Sequence, residues 1–332
     1  MTPPPHAPGD DHVDLLFAGA VFCDIVFSGV PVPAPGTEVF ADAFTVTPGG
    51  TANRAVAAAR LGATTSLVSE LGDDPLGAYI AGVLANEANL DLTYLRRTAG
   101  WQSPVTTSLT GAHDRSFITY QEPGHDLDWP DNGPTVGATH VNAAADLPAW
   151  VARVRADGTT VVGGVGWDST GRWSPDLLRR LENVDIFVPN DVEAMKYTQT
   201  DDPIAAAREL GGYVELAIVT RGPQGVVAFD SGSGTLIETP AIAVDAVDPT
   251  GAGDVFVAAF MASLRTDWPL ETRLRFGSLC ASLSVRTLGG AASAPRPPDI
   301  SRYLTERQPQ GDWSLIEAWA TARDSSRIKE EV

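Results

Sequence analysis

The sequence has little cysteine and lacks long apolar runs, and each shortage excludes a class of protein. Its two cysteines, Cys23 and Cys280, lie far apart in apolar stretches, which favours reduced, buried thiols over the paired framework of a secreted domain. No apolar run approaches the length of a membrane span. The N-terminal segment is polar and proline-rich, without the basic and apolar regions of a signal peptide. We therefore expect a cytoplasmic protein.

Positive charge is also scarce. The 332-residue chain has 23 basic and 42 acidic side chains, which gives a formal net charge of −19 at pH 7. So acidic a surface should repel phosphate backbones and anionic lipids, and we expect neither nucleic acid nor a membrane as a partner. A nucleotide can still bind if backbone amides, a helix N-terminus or a metal ion form a local site.

Strands alternate with helices along most of the chain, which predicts a doubly wound, mainly parallel α/β sheet flanked by helices. Two segments, about 22–46 and 101–121, instead show Val, Thr and Phe at the period-two spacing of strands. We expect a few antiparallel strands there, forming a small separate sheet that acts as a lid. The predicted division is a disordered tail at 1–11, a main domain at 12–310 and a C-terminal helical segment or tail at 311–332.

The strongest chemical signal is the glycine-rich turn Asp248-Pro-Thr-Gly-Ala-Gly-Asp254, which precedes a strongly apolar segment predicted to be helical. Gly251 and Gly253 allow backbone amides to converge at the helix N-terminus, where the dipole favours negative charge. Such a turn suits the charge that develops on a transferring phosphoryl group, and Asp254 could accept the proton of an attacking hydroxyl. The structural alternative is a tight turn with Asp254 as a helix cap.

A second glycine pair stands near the front, in Pro48-Gly-Gly-Thr-Ala-Asn-Arg-Ala, again before a predicted helix. The pair, Gly49 and Gly50, would let a polyhydroxylated substrate approach the backbone, and the amide of Asn53 could bond a hydroxyl. The alternative is a loop followed by an ordinary alanine-rich core helix.

Together these two segments resemble the two signatures of the ribokinase-like (PfkB) family of carbohydrate kinases. Three further segments resemble family motifs in the same order: Leu71-Gly-Asp-Asp-Pro-Leu-Gly77, Val188-Pro-Asn-Asp-Val-Glu-Ala194 and Val219-Thr-Arg-Gly-Pro-Gln-Gly225. The resemblance covers about residues 13–295. It implies a ribokinase-like fold and an ATP-dependent kinase that phosphorylates a hydroxyl of a monosaccharide or sugar acid.

The resemblance implies roles for individual residues at the acceptor end of the site. Asp254 would be the base that deprotonates the acceptor hydroxyl, and the amides before it would form the anion hole: Gly251, Ala252 and Gly253. The acceptor would lie against four residues from the front of the chain: Asp24, Gly49, Gly50 and Asn53. For Asp24 the alternative is an exposed loop carboxylate.

At the nucleotide end, the resemblance implies that six residues contact ATP: Asn190, Thr220, Gly222, Gly225, Ser278 and Ser282. The nucleobase would rest near these serines and Gly289-Gly290. Glu193 would hold Mg²⁺ through water, and Asp248 and Thr250 match positions that could contribute to a K⁺ site. Two structural alternatives stay open: Asn190 and Glu193 as a helix N-cap and its capping-box partner, and residues 220–225 as a hairpin turn.

The chain departs from the family pattern near the acceptor. Phe22 stands where ribose-type members often carry a polar amide, and its ring could stack on a ligand or pack in the core. The segment after the strand at 159–165 lacks the Asp-x-Asn-x-Arg of many members, so Asp168 has no assigned role, whereas Arg172 could reach a phosphate or an acidic substrate. These departures weaken a ribokinase assignment and leave the phosphoryl-transfer apparatus intact.

Other functions compete with the sugar kinase. A nucleoside kinase shares the fold and both signatures, and Phe22, Phe117 and Tyr120 would then stack on a base. A catalytically silent sensor would not need Asp254, and a dinucleotide oxidoreductase lacks support because no Gly-x-Gly-x-x-Gly follows the first strand. An apolar face on the small sheet needs a cover, so we expect a homodimer through the lid.

Overall fold

The computed structural model describes residues 12–111, 115–166, 168 and 170–330. The predicted tail at 1–11 lies outside the described residues. The strands are β1 His12–Ala18, β2 Val21–Ser28, β3 Ala43–Gly50, β4 Thr65–Gly72, β5 Leu90–Asp91, β6 Leu95–Thr98, β7 Val105–Thr110, β8 Arg115–Tyr120, β9 Thr135–Asn142, β10 Thr160–Gly164, β11 Ile186–Phe187, β12 Leu216–Thr220, β13 Val226–Asp230 and β14 Thr235–Thr239. The helices are α1 Thr51–Arg60, α2 Pro75–Leu84, α3 Ala149–Ala156, α4 Asp176–Arg180, α5 Asp191–Thr198, α6 Pro203–Leu210, α7 Ala252–Ser263, α8 Leu270–Ser284, α9 Pro297–Arg307 and α10 Ser314–Glu330.

The main sheet has the strand order β14-β13-β12-β11-β10-β9-β1-β4-β5, and β6 also pairs with β4. All pairs from β12 to β5 are parallel, as is the β4–β6 pair. At one edge, β13 and β14 continue the sheet in antiparallel pairing. The prediction of a mainly parallel α/β sheet is therefore confirmed.

Helices cover both faces of the main sheet, as adjacent residues of β1 demonstrate. Leu15 and Phe17 are buried in one core cluster with α1, α7 and α8, whereas Leu16 is buried in a second cluster with α3 to α6. Because side chains along a strand alternate between its faces, burial of all three residues requires cover on both sides. Ile316 and Ala320 of α10 are buried in the first cluster, so the C-terminal helix is part of the packed core.

A separate small sheet has the order β3-β2-β7-β8, which confirms the predicted second sheet. The β2–β3 and β7–β8 pairs are antiparallel, as expected, but the central β2–β7 pair is parallel. The difference has a physical reason. β2 and β7 are joined by a long connection that includes α1, β4 and α2, and a crossover of that length can return the chain in the same direction.

The small sheet leads directly into the main domain, because α1 begins immediately after β3 and packs against α7. The N-termini of α1 and α7 therefore meet near the carboxyl ends of the parallel strands, where open α/β sheets bind ligands. Outside the gaps at 112–114, 167 and 169 and the chain ends, no helix combines the length and apolar character that crossing a bilayer requires.

Candidate active site

The glycine-rich turn takes a left-handed backbone conformation where it leads into α7. Gly251 has a φ of 76° and is the N-cap residue of α7. A Cβ on it would lie 3.1 Å from the Cα of Gly290 and 3.5 Å from Nδ2 of Asn53, so both backbone conformation and space favour glycine. The first amides of a helix have no intrahelical acceptor and lie at the positive end of its dipole, although the N–H of Ala252 donates within the turn to the carbonyl oxygen of Pro249 at 3.3 Å.

Asp254 lies on the first turn of α7 and contacts α1 from the other signature. Nδ2 of Asn53 donates to Oδ2 of Asp254 at 3.1 Å. Nη1 of Arg54 forms an ion pair with Oδ1 of the same carboxylate. The two sequence motifs thus meet at one carboxylate. Arg54 has no counterpart among the predicted site residues, although a charged side chain on an alanine-rich, largely buried helix was a usable signal.

Of the predicted acceptor residues, Gly49 lies directly against Asp24, which is on β2 and not in an exposed loop. A Cβ on Gly49 would lie 2.0 Å from Oδ2 of Asp24, so only glycine leaves room for this carboxyl group. Burial raises the pKa of Asp24 to about 7, with further contributions from Asp254 and Asp248. The carboxyl groups of Asp24 and Asp254 are therefore close enough for their charges to interact.

Phe22 lies against the start of α1. A Cβ on Gly50 would come within 2.6 Å of Cδ2 of Phe22, and the ring is half-buried. The ring lies against this N-cap, and stacking of Phe22 on a ligand stays a prediction.

The register of the small sheet adds residues that the sequence did not identify. Thr47 and Thr106 pair directly with Asp24 across β3 and β7, and therefore share its face of the sheet. The same register places Phe117 on that face and Tyr120 on the opposite one. The expectation that both aromatic rings would reach the ligand is therefore wrong for Tyr120.

A cavity of about 430 Å³ borders the glycine-rich turn. Its lining includes five of the six predicted ATP-binding residues and two of the anion hole: Thr220, Gly222, Gly225, Ser278, Ser282, Ala252 and Gly253. Apolar side chains form much of the wall, among them Ile242, Val244 and Phe256. Apolar walls with a few convergent polar groups are typical of sites for planar organic ligands. The wall at 241–246 carries no motif and was not predicted.

Residues 220–225 also form the hairpin turn that was the structural alternative, because β12 and β13 pair antiparallel on either side of them. Asn190 does not line the cavity, but it forms an isolated parallel bridge with Thr220 at the cavity edge. One segment therefore serves both as a turn and as a cavity wall.

Asn190 and Glu193 form a complete capping box at the start of α5. The backbone N–H of Asn190 donates to Oε2 of Glu193 at 2.9 Å, and the N–H of Glu193 donates to Oδ1 of Asn190 at 2.9 Å. Burial raises the pKa of Glu193, and the charges of Asp191 and Asp254 raise it further. Within the described ranges, no group of three or more His, Cys, Asp or Glu side chains could hold a metal ion. Any Mg²⁺ here would need oxygen ligands from phosphates and water.

Asp248 and Thr250 lie beneath the glycine-rich turn. Asp248 is almost fully buried, and its carboxylate accepts from the N–H of Thr250 at 2.9 Å and from the N–H of Gly289 at 3.1 Å. The buried Oγ1 of Thr250 has no hydrogen-bond partner among the described residues. Gly289 and Gly290 belong to this region and not to the lining of the 430 Å³ cavity, where we expected them.

A second cavity, of about 660 Å³, lies at the ends of β9 and β10 and is lined in part by Asp168 and Arg172. Oδ1 of Asp168 accepts from the N–H and hydroxyl of Thr170, and Oδ2 accepts from the N–H of Trp173 at 2.7 Å. These bonds lower the pKa of Asp168. Its contacts are those of a residue that fixes a turn.

The chain matches the model of the pfkB family of carbohydrate kinases over residues 27–297. It is 28% identical to the ribokinase of Bacillus subtilis over 309 residues, covering 88% of this chain and 99% of that protein. It is 30% identical to the fructokinase of Klebsiella pneumoniae over 285 residues, covering 77% and 92%. The structure of Arabidopsis thaliana ribokinase complexed with ribose and ATP superposes with a TM-score of 0.74 at 25% identity, covering 88% of this chain and 98% of that one. The predicted ribokinase-like fold and ATP-dependent sugar kinase are thereby confirmed, and the chain belongs to the pfkB family of carbohydrate kinases.

Proposed function

We propose that this enzyme transfers the γ-phosphoryl group of Mg-ATP to a hydroxyl of a monosaccharide or sugar acid, with Asp254 as the general base. One observation carries the proposal. Asp254 lies on the helix turn that borders the 430 Å³ cavity, and it contacts Asn53 from the opposite signature. A base in that position lies between Asn53, on the acceptor side, and the cavity, on the nucleotide side.

On the acceptor side, Asp24 and Asn53 bind and orient the sugar. A carboxylate accepts hydrogen bonds from two hydroxyls, and the amide of Asn53 both donates and accepts. The nearby Gly49 leaves space for the acceptor to reach the backbone. Asp254 then takes the proton of the hydroxyl that attacks the phosphorus atom.

On the nucleotide side, the 430 Å³ cavity binds the base and ribose, and the amides of Gly251, Ala252 and Gly253 stabilise the negative charge of the transferring phosphoryl group. Mg²⁺, when bound to the phosphates, neutralises part of their charge. The buried carboxylate of Glu193 would hold the metal-bound water, and this use is compatible with its capping box because Oε2 alone bonds the N–H of Asn190.

The test is release of ADP with Mg-ATP and a panel of sugars, sugar acids and nucleosides. Asp254→Asn keeps the shape of the side chain but removes the base, and we expect turnover to fall about 10²–10⁴-fold. Asp131→Asn, which neutralises a strongly exposed carboxylate elsewhere, is the matched control. Turnover that survives Asp254→Asn would refute the base assignment. Ligand binding without turnover on any acceptor would favour the silent sensor.

A nucleoside kinase is the second candidate, because Phe117 shares the face of Asp24 and exposes half of its surface. A nucleobase could stack on such a ring. In a thermal-shift panel, stabilisation by nucleosides and not by sugars would favour this candidate. A ligand at a hundred times its Kd adds about 2.7 kcal/mol, which is readily detected.

We also propose a homodimer through an exposed apolar part of the small sheet, defined by Phe44, Ile118 and Tyr120. These side chains lie on the face opposite Asp24 and are 59%, 68% and 52% exposed. Exposed apolar patches of this kind are typical of interaction surfaces. Ile118→Asp should convert a dimer into a monomer in light scattering, and a wild-type monomer at micromolar concentration would refute the proposal.

A further inference from the structure

Arg54 is a cation in the acid-rich part of the site. Its side chain lies on the first turns of α1, pairs with Asp254, and is about one-fifth exposed. Asp254 and Asp248 both lie close enough to Asp24 for their charges to raise its pKa, in addition to the effect of its burial. A neutral sugar can be held by Asp24 and Asn53 alone, because its hydroxyls need only carboxylate and amide partners. Binding of a neutral sugar therefore does not require a guanidinium group at this point.

The hydrogen bonds of Arg54 are incomplete. Nη1 contacts Asp254, whereas the buried Nε has no hydrogen-bond partner among the described residues. A buried donor without an acceptor is destabilising, and guanidinium groups fit carboxylates and phosphates through pairs of parallel N–H donors. Nε itself is closed to solvent, but about one-fifth of the side chain is exposed, and an anionic group of a ligand can supply an acceptor to that exposed part of the guanidinium.

Charge balance leads to the same conclusion. An anionic acceptor that approaches Asp24 and Asp254 would meet two carboxylates, and repulsion would exclude it unless a cation stood beside them. His140, which is close enough to sense the charge of Arg54, is buried, and its pKa lies well below the usual value, so it contributes no compensating charge. Arg54 can supply that compensation.

We infer that Arg54 selects an acceptor that carries an anionic group, a carboxylate or a phosphate, in addition to the hydroxyl that is phosphorylated. On binding, the anionic group becomes a partner of the guanidinium, which then no longer has Asp254 as its main counter-ion. Asp254 is thereby released to act as the base. This inference rests on the proposed function, since it assigns a substrate class to the same acceptor site.

The experiment compares matched acceptors that differ in charge: D-gluconate with D-glucitol, and D-fructose 6-phosphate with D-fructose. For wild type, Arg54→Gln and Arg54→Lys, binding is measured by thermal shift without ATP, and kcat/KM by ADP release. Arg302→Gln removes an equivalent charge from an exposed position on α9 and is the matched control. The acid and phosphate arms distinguish the two sources of the anionic group.

We expect an anionic member of at least one pair to stabilise the wild type more than its neutral partner. In Arg54→Gln, the ratio of kcat/KM for that pair should fall about 10–100-fold, because hydrogen bonds to charged groups are lost. Arg54→Lys should retain part of the preference, and Arg302→Gln all of it.

Three results would overturn the inference: no anionic acceptor binds, the preference for anions survives Arg54→Gln, or Arg54→Gln lowers kcat equally for charged and neutral acceptors. The last result would indicate that Arg54 acts on the transferring phosphoryl group. The proposed kinase fails separately, if wild type and Asp254→Asn release ADP at the same rate with every acceptor.

Discussion

The raised pKa of Asp24 makes the stability of the protein depend on pH in a way that one substitution can isolate. In Asp24→Asn, a neutral amide of similar shape replaces a carboxyl group that is half-buried beside Asp254 and Asp248. The amide does not titrate. Any contribution from changed packing or hydrogen bonding is therefore the same at every pH, and only the titration of Asp24 changes the difference between the two proteins.

The magnitude follows from the shift in the pKa of Asp24 from 3.8 to about 7. Each pKa unit corresponds to about 1.4 kcal/mol, so the ionised form costs up to about 4 kcal/mol in the folded state. A raised pKa means that the folded protein binds this proton more tightly than the unfolded chain. The cost is therefore absent below about pH 4, increases as the pH rises, and is complete above about pH 7. Between pH 5 and pH 8 the change is about 2–3 kcal/mol.

The assay is urea unfolding of the wild type and Asp24→Asn at pH 5 and pH 8. The stability difference is the free energy of unfolding of the variant minus that of the wild type. It should be larger by about 2–3 kcal/mol at pH 8 than at pH 5, because only the wild type is destabilised by an ionised Asp24. Over the same range, the KM of the wild type for a neutral acceptor should fall as the pH rises through 7, because the ionised carboxylate accepts bonds from hydroxyls. An equal stability difference at both pH values would refute the argument for a shifted Asp24.

Local sequence was sufficient for the parts of the site that depend on local geometry. The turn at 251–254 needs glycine and a helix N-terminus, and both are visible in consecutive residues. For the same reason Asn190 and Glu193, three positions apart, predicted a capping box as one alternative, and the box is present. Whether Glu193 also holds a metal-bound water stays a prediction.

Contacts between distant residues could not be predicted in this way. Arg54 and Asp254 are 200 positions apart, and their ion pair depends on how α1 packs against α7. The face on which Phe117 and Tyr120 lie depends on the register of β7 with β8, and a shift of one residue would exchange them. The cavity wall at 241–246 is irregular and has neither a period nor a motif.

The remaining predictions concern three walls of the site. Gly49→Ala places a Cβ 2.0 Å from Oδ2 of Asp24, so the KM for the acceptor should rise at least about tenfold, since a charge-assisted contact is displaced. Gly82→Ala, in open space on α2, is its control. Ala281→Leu should fill part of the 430 Å³ cavity and raise the KM for ATP selectively. Thr250→Val removes the buried, unpartnered Oγ1, and so tests whether this hydroxyl contributes to a K⁺ site. If that hydroxyl has no partner without K⁺, its removal should raise Tm in a bulky-cation buffer, because an unsatisfied buried hydroxyl costs about 1–3 kcal/mol. If the hydroxyl serves K⁺, the wild type should gain activity and Tm in potassium, whereas the variant should gain less. A variant that melts below wild type in the bulky-cation buffer would show that Oγ1 already has a partner, and equal wild-type activity in both buffers would refute the K⁺ site.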